Sequence, residues 1–337
     1  MKEAGFYERL GDEKVQCRLC AHECVIVPGK RGICGVRENR DGTLYSLVYG
    51  KIISQHVDPI EKKPLFHFLP GSRAYSIATV GCNFQCLHCQ NYEISQFPRL
   101  YESEILGEDL TPEELIRKVK ASRSESIAYT YTEPTIFSEF AHDTAVLARS
   151  EGIRNVFVSN GFMTEASARA MATVLDADNI DLKSFSDAFY RKVCKARLQP
   201  VLDTIILMKQ LGVWVEVTTL VIPGLNDSDE ELKDIAAFIK GVGPEIPWHV
   251  SAFYPTYKLL DRPRTTAAQL QRAREIGLEA GLRYVYTGNI PGDRGGNTYC
   301  PACGELLIQR TGYTIRRNVL QEGCCPKCTA PIDGVWK

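Results

Sequence analysis

The stretch AYSIATVGCNFQCLHC, residues 74–89, joins an apolar run to three closely spaced cysteines. The run AYSIATV (74–80) predicts a buried strand. Cys82, Cys86 and Cys89 follow in C-x3-C-x2-C spacing, which is one ligand fewer than a closed structural metal site normally takes. An open ligand position is typical of catalytic metal sites. The stretch therefore predicts a reactive centre just after a strand.

Apolar strands and helices alternate for about 200 residues after this stretch. A capping box, Thr111-Pro112-Glu113-Glu114, opens the first predicted helix, which runs to about Ser122. The predicted strands are 74–80, 126–131, 155–159, 177–183, 213–222, 248–253 and 283–286. The other predicted helices are 136–150, one that begins at Thr164, helical stretches that end at about Leu211, 227–240 and 266–280. This order predicts an α/β fold with a parallel sheet, namely a partial (β/α)6-type TIM barrel over residues 72–292.

Polar residues follow the predicted strands at the end where a barrel holds its active site. Cys82 follows the first strand, and the others are Thr132, Glu133, Ser159, Asn160, Asp181, Lys183, Thr218, Thr219 and His249. Any one of them is as readily explained as the start of a loop. Their joint position on one rim favours a site.

The three-cysteine spacing after the first strand resembles the radical S-adenosylmethionine (SAM) superfamily. The resemblance implies a [4Fe-4S] cluster on the catalytic cysteines Cys82, Cys86 and Cys89. It implies that SAM chelates the open iron, and that reductive cleavage of SAM releases a 5′-deoxyadenosyl radical, which abstracts hydrogen from a substrate. A zinc knuckle with a distant fourth ligand is the alternative for these cysteines.

Other positions match SAM contacts of that family in chain order. They are His88, Thr132, Glu133, Ser159, Asn160, Asp181, Lys183, Thr219 and His249. The resemblance implies that His88 and His249 lie near the adenosyl group and that Lys183 pairs with the SAM carboxylate, for which an ammonium point charge is suited. Lys183 and Asp181 could also form an ordinary strand-end ion pair, Asn160 could be a turn residue, and His249 could be a core histidine.

The resemblance is closest to proteins like the pyruvate formate-lyase activating enzyme, and two features depart from them. Val158 stands where those enzymes carry an aspartate, which puts a monovalent-cation site in doubt. Additional cysteines also lie at both ends of the chain. With CRLCAHECVIVPGKRGICGVR at the front and NTYCPACG at the end, the chain resembles the AmmeMemoRadiSam radical SAM family. That resemblance implies a flavodoxin or ferredoxin electron donor and association with Memo-like and AMMECR-type proteins.

The chain has 13 cysteines, of which 12 fall into three clusters. In the predicted N-terminal segment 1–71, Cys17, Cys20, Cys24 and Cys34 suit zinc or an auxiliary iron–sulfur cluster, with zinc or a structural role slightly favoured. His22 could replace one of these ligands. The tight knuckles favour metal binding in a reducing compartment over disulfides.

The predicted C-terminal domain 293–337 has the knuckle spacing of a zinc ribbon. Its predicted zinc ligands are Cys300, Cys303, Cys325 and Cys328. Cys324 could replace Cys325, although Cys325 gives the proper two-residue gap. The isolated Cys194 is better explained as a buried inert cysteine than as a reactive thiol.

The bulk composition excludes several classes of protein. Hydrophobic residues make up 44%, charged residues 24%, and the net charge is −1, so no overall basic field favours nucleic acid or membranes. No apolar run approaches a membrane span, and the N-terminus lacks a secretory pattern, so a cytoplasmic enzyme is expected. Two rival functions stay open: activation of a glycyl-radical enzyme, and a non-catalytic metal-binding scaffold.

Overall fold

Short antiparallel strands form the N-terminal segment in the computed structural model, which describes residues 1–101, 104–290, 292 and 294–337. The strands form two three-stranded sheets, β1-β6-β5 and β2-β3-β4. Their six strands are β1 (Lys2–Glu3), β2 (Tyr7–Arg9), β3 (Val15–Cys17), β4 (Val25–Ile26), β5 (Arg37–Arg40) and β6 (Thr43–Ser46), and a further short strand, β7 (Lys51–Ile52), lies outside these two sheets. Arg37 is buried and bridges Glu139 of the barrel-like region, with Nη1 2.8 Å from Oε1. This pair ties the segment to the large domain.

An eight-stranded sheet forms the centre of the molecule. Its order is β16-β15-β14-β13-β12-β11-β9-β8, and every neighbouring pair is parallel except β8 with β9. The strands are β8 (Ser54–Pro59), β9 (Arg73–Ala78), β10 (Glu108–Asp109, which pairs with β7), β11 (Ser126–Tyr129), β12 (Arg154–Ser159), β13 (Ala177–Asp181), β14 (Trp214–Val221), β15 (Trp248–Ala252) and β16 (Val285–Gly288). The predicted α/β fold with a parallel sheet is confirmed.

Helices connect the parallel strands. The helices are α1 (Tyr92–Ser95), α2 (Phe97–Leu100), α3 (Pro112–Ser122), α4 (Ser138–Ser150), α5 (Glu165–Ala172), α6 (Asp187–Phe189), α7 (Gln199–Gln210), α8 (Asp229–Val242) and α9 (Ala267–Ala280). The longer ones, such as α3, α4 and α8, bury an apolar side. The predicted capping box of α3 is present: Thr111 and Glu114 exchange hydrogen bonds with each other's backbone N–H. Parallel strands in sequential order require such crossovers.

The strand β8 lies in the segment that the sequence assigns to the N-terminal domain, and it forms an antiparallel edge of the central sheet. After it, Phe66 and His67 donate their backbone N–H groups to the buried Glu216 of β14, at 3.0 and 2.8 Å. The chain before residue 71 is therefore continuous with the sheet. The expected domain boundary at Asp293 lies outside the described residues.

The C-terminal region is a three-stranded antiparallel sheet of β17 (Thr298–Tyr299), β18 (Leu306–Thr311) and β19 (Thr314–Asn318). Arg310 is buried and donates Nη2 to the Phe66 carbonyl at 2.8 Å. Arg283 binds both carboxylate oxygens of Asp333 at 2.9 Å. These bonds hold the small sheet against the large one. Within the part of the chain that the structure describes, no helix is long and apolar enough to cross a membrane.

Candidate active site

The loop that carries the three cysteines begins where β9 ends. Gly81 precedes Cys82 and adopts a φ of 95°, which an L side chain rarely takes. A Cβ at this position would lie 2.6 Å from the Val36 side chain and 2.9 Å from the Cys34 carbonyl oxygen. Glycine thus lets the loop pass directly against the N-terminal segment.

Hydrogen bonds fix the sulfurs of this loop. The Phe84 backbone N–H donates to Cys82 Sγ at 3.3 Å, and the Asn160 amide lies 3.5 Å from the same sulfur. Cys89 Sγ lies 3.1 Å from the hydroxyl of Ser95. Donors aimed at sulfur stabilise a metal-bound thiolate and tune its reduction potential.

Arg99, which lies in α2, hydrogen-bonds to the cysteine loop. Its guanidinium donates to the Cys82 carbonyl at 2.7 Å and to the Phe84 carbonyl at 3.3 Å, and its Nε donates to the Ile33 carbonyl at 3.0 Å. One side chain therefore joins the cysteine loop to the N-terminal segment. The sequence analysis did not single out Arg99, because a lone arginine in a helix gives no signal of such contacts.

The three cysteines open into a cavity of about 490 Å³ at the carboxyl ends of the parallel strands. Small-molecule sites usually have volumes of roughly 300–1,000 Å³. Every parallel strand or the loop after it contributes to the lining, as do residues 61–64 and Phe66 of the N-terminal segment and Tyr313 of the C-terminal hairpin. The two end regions thus complete the walls of the cavity.

Most of the predicted SAM contacts line this cavity. The lining includes His88, Thr132, Ser159, Asn160, Asp181, Lys183 and His249 together with the three cysteines. Two predicted contacts, Glu133 and Thr219, are fully buried outside the lining.

Glu133 is buried behind the cavity lining and binds backbone groups there. Its carboxylate accepts the backbone N–H groups of Asn160 at 2.7 Å and Thr135 at 3.1 Å. Burial raises the pKa of Glu133, while its hydrogen-bond donors oppose that shift. Because Asn160 also reaches Cys82, Glu133 positions the residue that contacts the cysteine loop.

Thr219 links two strands of the sheet instead of facing the cavity. Its hydroxyl donates to the Leu182 carbonyl at 2.8 Å and accepts the Trp248 indole N–H at 2.9 Å. Strand residues alternate between the two faces of a sheet. Its neighbours Thr218 and Leu220 therefore line the cavity.

Lys183 and Asp181 place opposite charges side by side on the cavity wall. Lys183 Nζ lies 2.6 Å from Asp181 Oδ2, and the lysine side chain is 11% exposed whereas that of Asp181 is 35% exposed. Burial lowers the pKa of Lys183, but the charge of Asp181 and the nearby thiols outweigh it and raise the pKa well above its usual value. Lys183 is a fixed cation.

His88 is buried in the cavity wall and is neutral near pH 7. Burial, and then the charge of Lys183, lower its pKa to about 3. Its Nδ1 has no hydrogen-bond partner among the described residues. A buried polar atom without a partner at a cavity wall is a candidate contact for a bound molecule.

His249 is held by a buried carboxylate in the next strand. Its Nε2 lies 2.6 Å from Glu216 Oε2, and Glu216 also accepts the Trp214 indole N–H at 3.0 Å. Burial raises the pKa of Glu216, but the bond to His249 and the neighbouring charges lower it below its usual value. The sequence carried a signal for this group, because a glutamate inside the apolar run WVEVTTLV needs buried partners.

Comparison with known proteins identifies the family of the chain. The family model described as the Radical SAM superfamily matches residues 76–239, which span the cysteine loop and the strands after it. The chain belongs to the radical SAM superfamily. Its cofactors are a [4Fe-4S] cluster and SAM, and it is an enzyme that cleaves SAM by radical chemistry.

The chain is also similar to individual known proteins. The chain is 50% identical to the uncharacterized protein MJ0808 of Methanocaldococcus jannaschii over 338 residues, or 99% of each chain. It is 22% identical to the pyruvate formate-lyase 1-activating enzyme of Escherichia coli strain K12 over 171 residues, which cover 48% of this chain and 67% of that enzyme. The crystal structure of Streptococcus suis SuiB bound to S-adenosylmethionine shares the fold, with a TM-score of 0.51 and 12% identity over 68% of this chain and 53% of SuiB.

The residues present fit the radical SAM cofactors. Three thiols on one loop face a cavity that holds a fixed cation, a carboxylate and an unsatisfied imidazole nitrogen. Cys194 lies within hydrogen-bonding reach of Cys86, and this contact and burial raise the pKa of the Cys86 thiol well above its usual value. Cys194 is fully buried, as the sequence analysis expects, and lies outside the cavity lining.

The C-terminal cysteines come together as the spacing predicts. The ligand atoms of Cys300, Cys303, Cys325 and Cys328 all lie within 4.8 Å of one another. Cys324 is not in this group, and its backbone pairs with Gln321 instead. Cys325, which the two-residue gap to Cys328 favoured over Cys324, is therefore the cysteine that joins the group.

Proposed function

We propose that this radical SAM enzyme abstracts hydrogen from a small molecule or a short peptide segment that enters the cavity beside Cys82, Cys86 and Cys89. When bound, the reduced cluster and SAM supply a 5′-deoxyadenosyl radical as the hydrogen acceptor. The observation that carries this proposal is that Phe66 from the N-terminal segment and Tyr313 from the C-terminal hairpin line the cavity together with the strand ends. Walls from both ends of the chain suit a small guest.

Different residues on the cavity wall suit different parts of the SAM molecule. The cation Lys183 suits the carboxylate of the methionine moiety, and Asp181 beside it suits an ammonium or a ribose hydroxyl. Asn160 and Thr132 offer polar contacts on the adjacent strand ends. His88 offers its unsatisfied Nδ1 to the adenosyl group.

Two predicted contacts act as positioning residues in this proposal. Glu133 holds the Asn160 backbone, and Thr219 joins the end of β13 to Trp248 of β15. His249 is oriented by Glu216 toward the cavity. Walls from the strand ends and from both end regions of the chain would also limit the access of water to the reaction, which is the protein's part in cofactor chemistry.

The finer architecture belongs to the same proposal. Seven parallel strands in sequential order support a partial TIM barrel with its site at the carboxyl ends of the strands. In the C-terminal group, Cys300 and Cys328 sulfurs lie 3.6 Å apart and those of Cys303 and Cys325 lie 3.7 Å apart. Thiolates about 2.3 Å from a tetrahedral zinc lie about 3.8 Å from each other. Zinc is therefore the metal that we propose for this ribbon.

The partners that we propose follow from the resemblance to the AmmeMemoRadiSam family. A flavodoxin or ferredoxin would supply the electron, and Memo-like and AMMECR-type proteins would act with the enzyme. Activation of a glycyl-radical enzyme is the second candidate, favoured by the relative named as a pyruvate formate-lyase activating enzyme. It differs in substrate, because its hydrogen comes from a folded protein.

Deuterium transfer distinguishes the two candidates. Source cells grown in deuterated medium would be separated into low-mass and macromolecular fractions, and each would be added to the reduced enzyme with SAM. We expect the low-mass fraction to raise the yield of 5′-deoxyadenosine and to make it deuterated, as measured by mass spectrometry. Stimulation and deuterium transfer by the macromolecular fraction alone would overturn the proposal in favour of a protein substrate.

A further inference from the structure

The four cysteines of the N-terminal segment form a second thiol cluster. Cys17 lies at the end of β3, and its backbone N–H donates to the Cys24 carbonyl at 2.9 Å. Between them the chain turns back at Glu23, which has a φ of 45° and donates its N–H to the Cys20 carbonyl at 3.0 Å. Cys34 arrives from the next loop, and all four cysteines line one small cavity.

The spacing of these sulfurs differs from that of the ribbon. Among the described residues, the ribbon cysteines are the group of three or more possible ligands whose atoms all lie within 4.8 Å of one another. Neither the N-terminal cysteines nor the catalytic cysteines are drawn together in this way. A mononuclear zinc would need separations of about 3.8 Å, whereas a cubane spreads its thiolates because each binds a different iron. The N-terminal set therefore resembles the catalytic iron–sulfur set.

The free space beside these cysteines is larger than four thiolates on one zinc ion leave. The cavity has a volume of about 10 Å³, which is about what a water-sized sphere requires. Four thiolates around one zinc ion at about 2.3 Å leave no such space. Apart from the cysteines, His22 and Arg37, the lining is apolar or glycine, including Leu19, Ile26 and Ile136, so a guest must be held by the thiols.

Arg37 adds a donor that none of the described residues satisfies. Its side chain is 2% exposed and lines the cavity. Its terminal nitrogens bind Glu139 and the Gly5 carbonyl at 2.8 and 2.7 Å. Its Nε has no partner among the described residues. A buried unsatisfied cationic donor at the wall of a thiol-lined cavity points to an anionic guest, such as a thiolate-bound cluster with its sulfides.

We infer that Cys17, Cys20, Cys24 and Cys34 hold a second iron–sulfur cluster, in place of the zinc that the sequence slightly favoured. Arg37 donates a hydrogen bond to this cluster. The inference does not depend on the substrate of the enzyme.

This second cluster adjoins the catalytic loop. The His22 Nε2 lies 2.8 Å from the carbonyl of Asn83, the residue after Cys82. The Gly81 backbone packs against the Cys34 carbonyl, and Arg99 joins the carbonyls of Ile33 and Cys82. Removal of the second cluster therefore disturbs the environment of the first.

Metal analysis of the full chain tests the inference. The protein would be produced with iron and sulfide and kept anaerobic, and iron, zinc and acid-labile sulfide would be counted. The variant Cys82→Ala/Cys86→Ala/Cys89→Ala removes the catalytic cluster and leaves the N-terminal cysteines intact. We expect it to retain about two to four iron atoms with matching sulfide and about one zinc, and to keep the Mössbauer spectrum of an iron–sulfur cluster.

Further variants assign the remaining iron. Adding Cys20→Ser to the triple variant should abolish the iron and leave the zinc, which also reports that the ribbon is folded. The single Cys24→Ser variant is milder, because Cys24 is only half-buried, and should alter the cluster spectrum without loss of zinc. A triple variant with no iron, whether it holds one zinc or two, would overturn the inference. Since no SAM or substrate is used, this result is separate from any failure of the proposed function.

Discussion

Lys183→Met tests the proposed SAM contact on the cavity wall. The lysine side chain is 11% exposed and bonds Asp181 at 2.6 Å. A hydrogen bond to a charged group contributes about 1.5–3 kcal/mol, whereas exposed pairs contribute about 0–1 kcal/mol. Because Lys183 is only 11% exposed, we expect the range for charged hydrogen bonds, and a loss of about 1.5–3 kcal/mol corresponds to roughly 10- to 150-fold weaker SAM binding. The unpaired Asp181 would also repel the carboxylate of SAM.

The assay is anaerobic titration calorimetry of SAM into the unreduced enzyme, in which cleavage does not occur. Lys62→Met is a matched control, because Lys62 lines the same cavity but is 43% exposed and binds Asp58 at 2.8 Å. We expect Lys62→Met to change the dissociation constant by less than about twofold. The reasoning would be refuted if Lys183→Met, with its iron content intact, bound SAM as the wild type does, or if both variants weakened binding equally.

Three further predictions concern the framework of the site. Glu216→Gln should lower the free energy of unfolding by about 3 kcal/mol, because the glutamine NH2 group would face N–H donors that the buried carboxylate now accepts. Urea denaturation measures this loss. The control Glu230→Gln, on the exposed side of α8, should change the free energy of unfolding little. Gly81→Ala should reduce the iron content of the protein, because the added Cβ would push the cysteine loop away from the Cys34 carbonyl. The control Gly152→Ala is also at positive φ but has open space around it. It should cost only about 1–2 kcal/mol of backbone strain and leave the iron content unchanged. Cys303→Ser should release the ribbon metal and loosen the Tyr313 hairpin, seen as faster proteolysis after residue 295; an unchanged digestion pattern would argue against metal-dependent folding.

The sequence predicted the parallel strands well because each is a short apolar run between turn signals. It predicted Lys183 and Asn160 on the cavity wall because the carboxyl ends of parallel strands meet at one edge. Thr219, which the sequence predicts as a SAM contact, lies outside the cavity lining, because strand alternation turns it into the sheet, where the Trp248 indole donates to its hydroxyl. Glu133, which the sequence also predicts as a SAM contact, is buried outside the cavity lining, where its carboxylate accepts the Asn160 backbone N–H.

Other features depend on contacts between distant parts of the chain. The strand β8 has little apolar alternation and exists because it pairs with β9. Phe66 reaches the cavity because Glu216, 150 residues away, binds its backbone N–H, and Tyr313 reaches it from a hairpin turn. No local pattern encodes such long-range contacts. The N-terminal metal was likewise open, because four cysteines bind zinc or iron equally well by spacing alone.

The central claim is that the three-cysteine loop supports reductive cleavage of SAM. The most direct measurement is formation of 5′-deoxyadenosine, by mass spectrometry, after anaerobic reconstitution with iron and sulfide, reduction with dithionite and addition of SAM. We predict product with the wild-type chain and none with Cys86→Ala, which removes one ligand of the catalytic cluster. Equal product from both proteins, or a wild-type chain that assembles no cluster on this loop, would contradict the account.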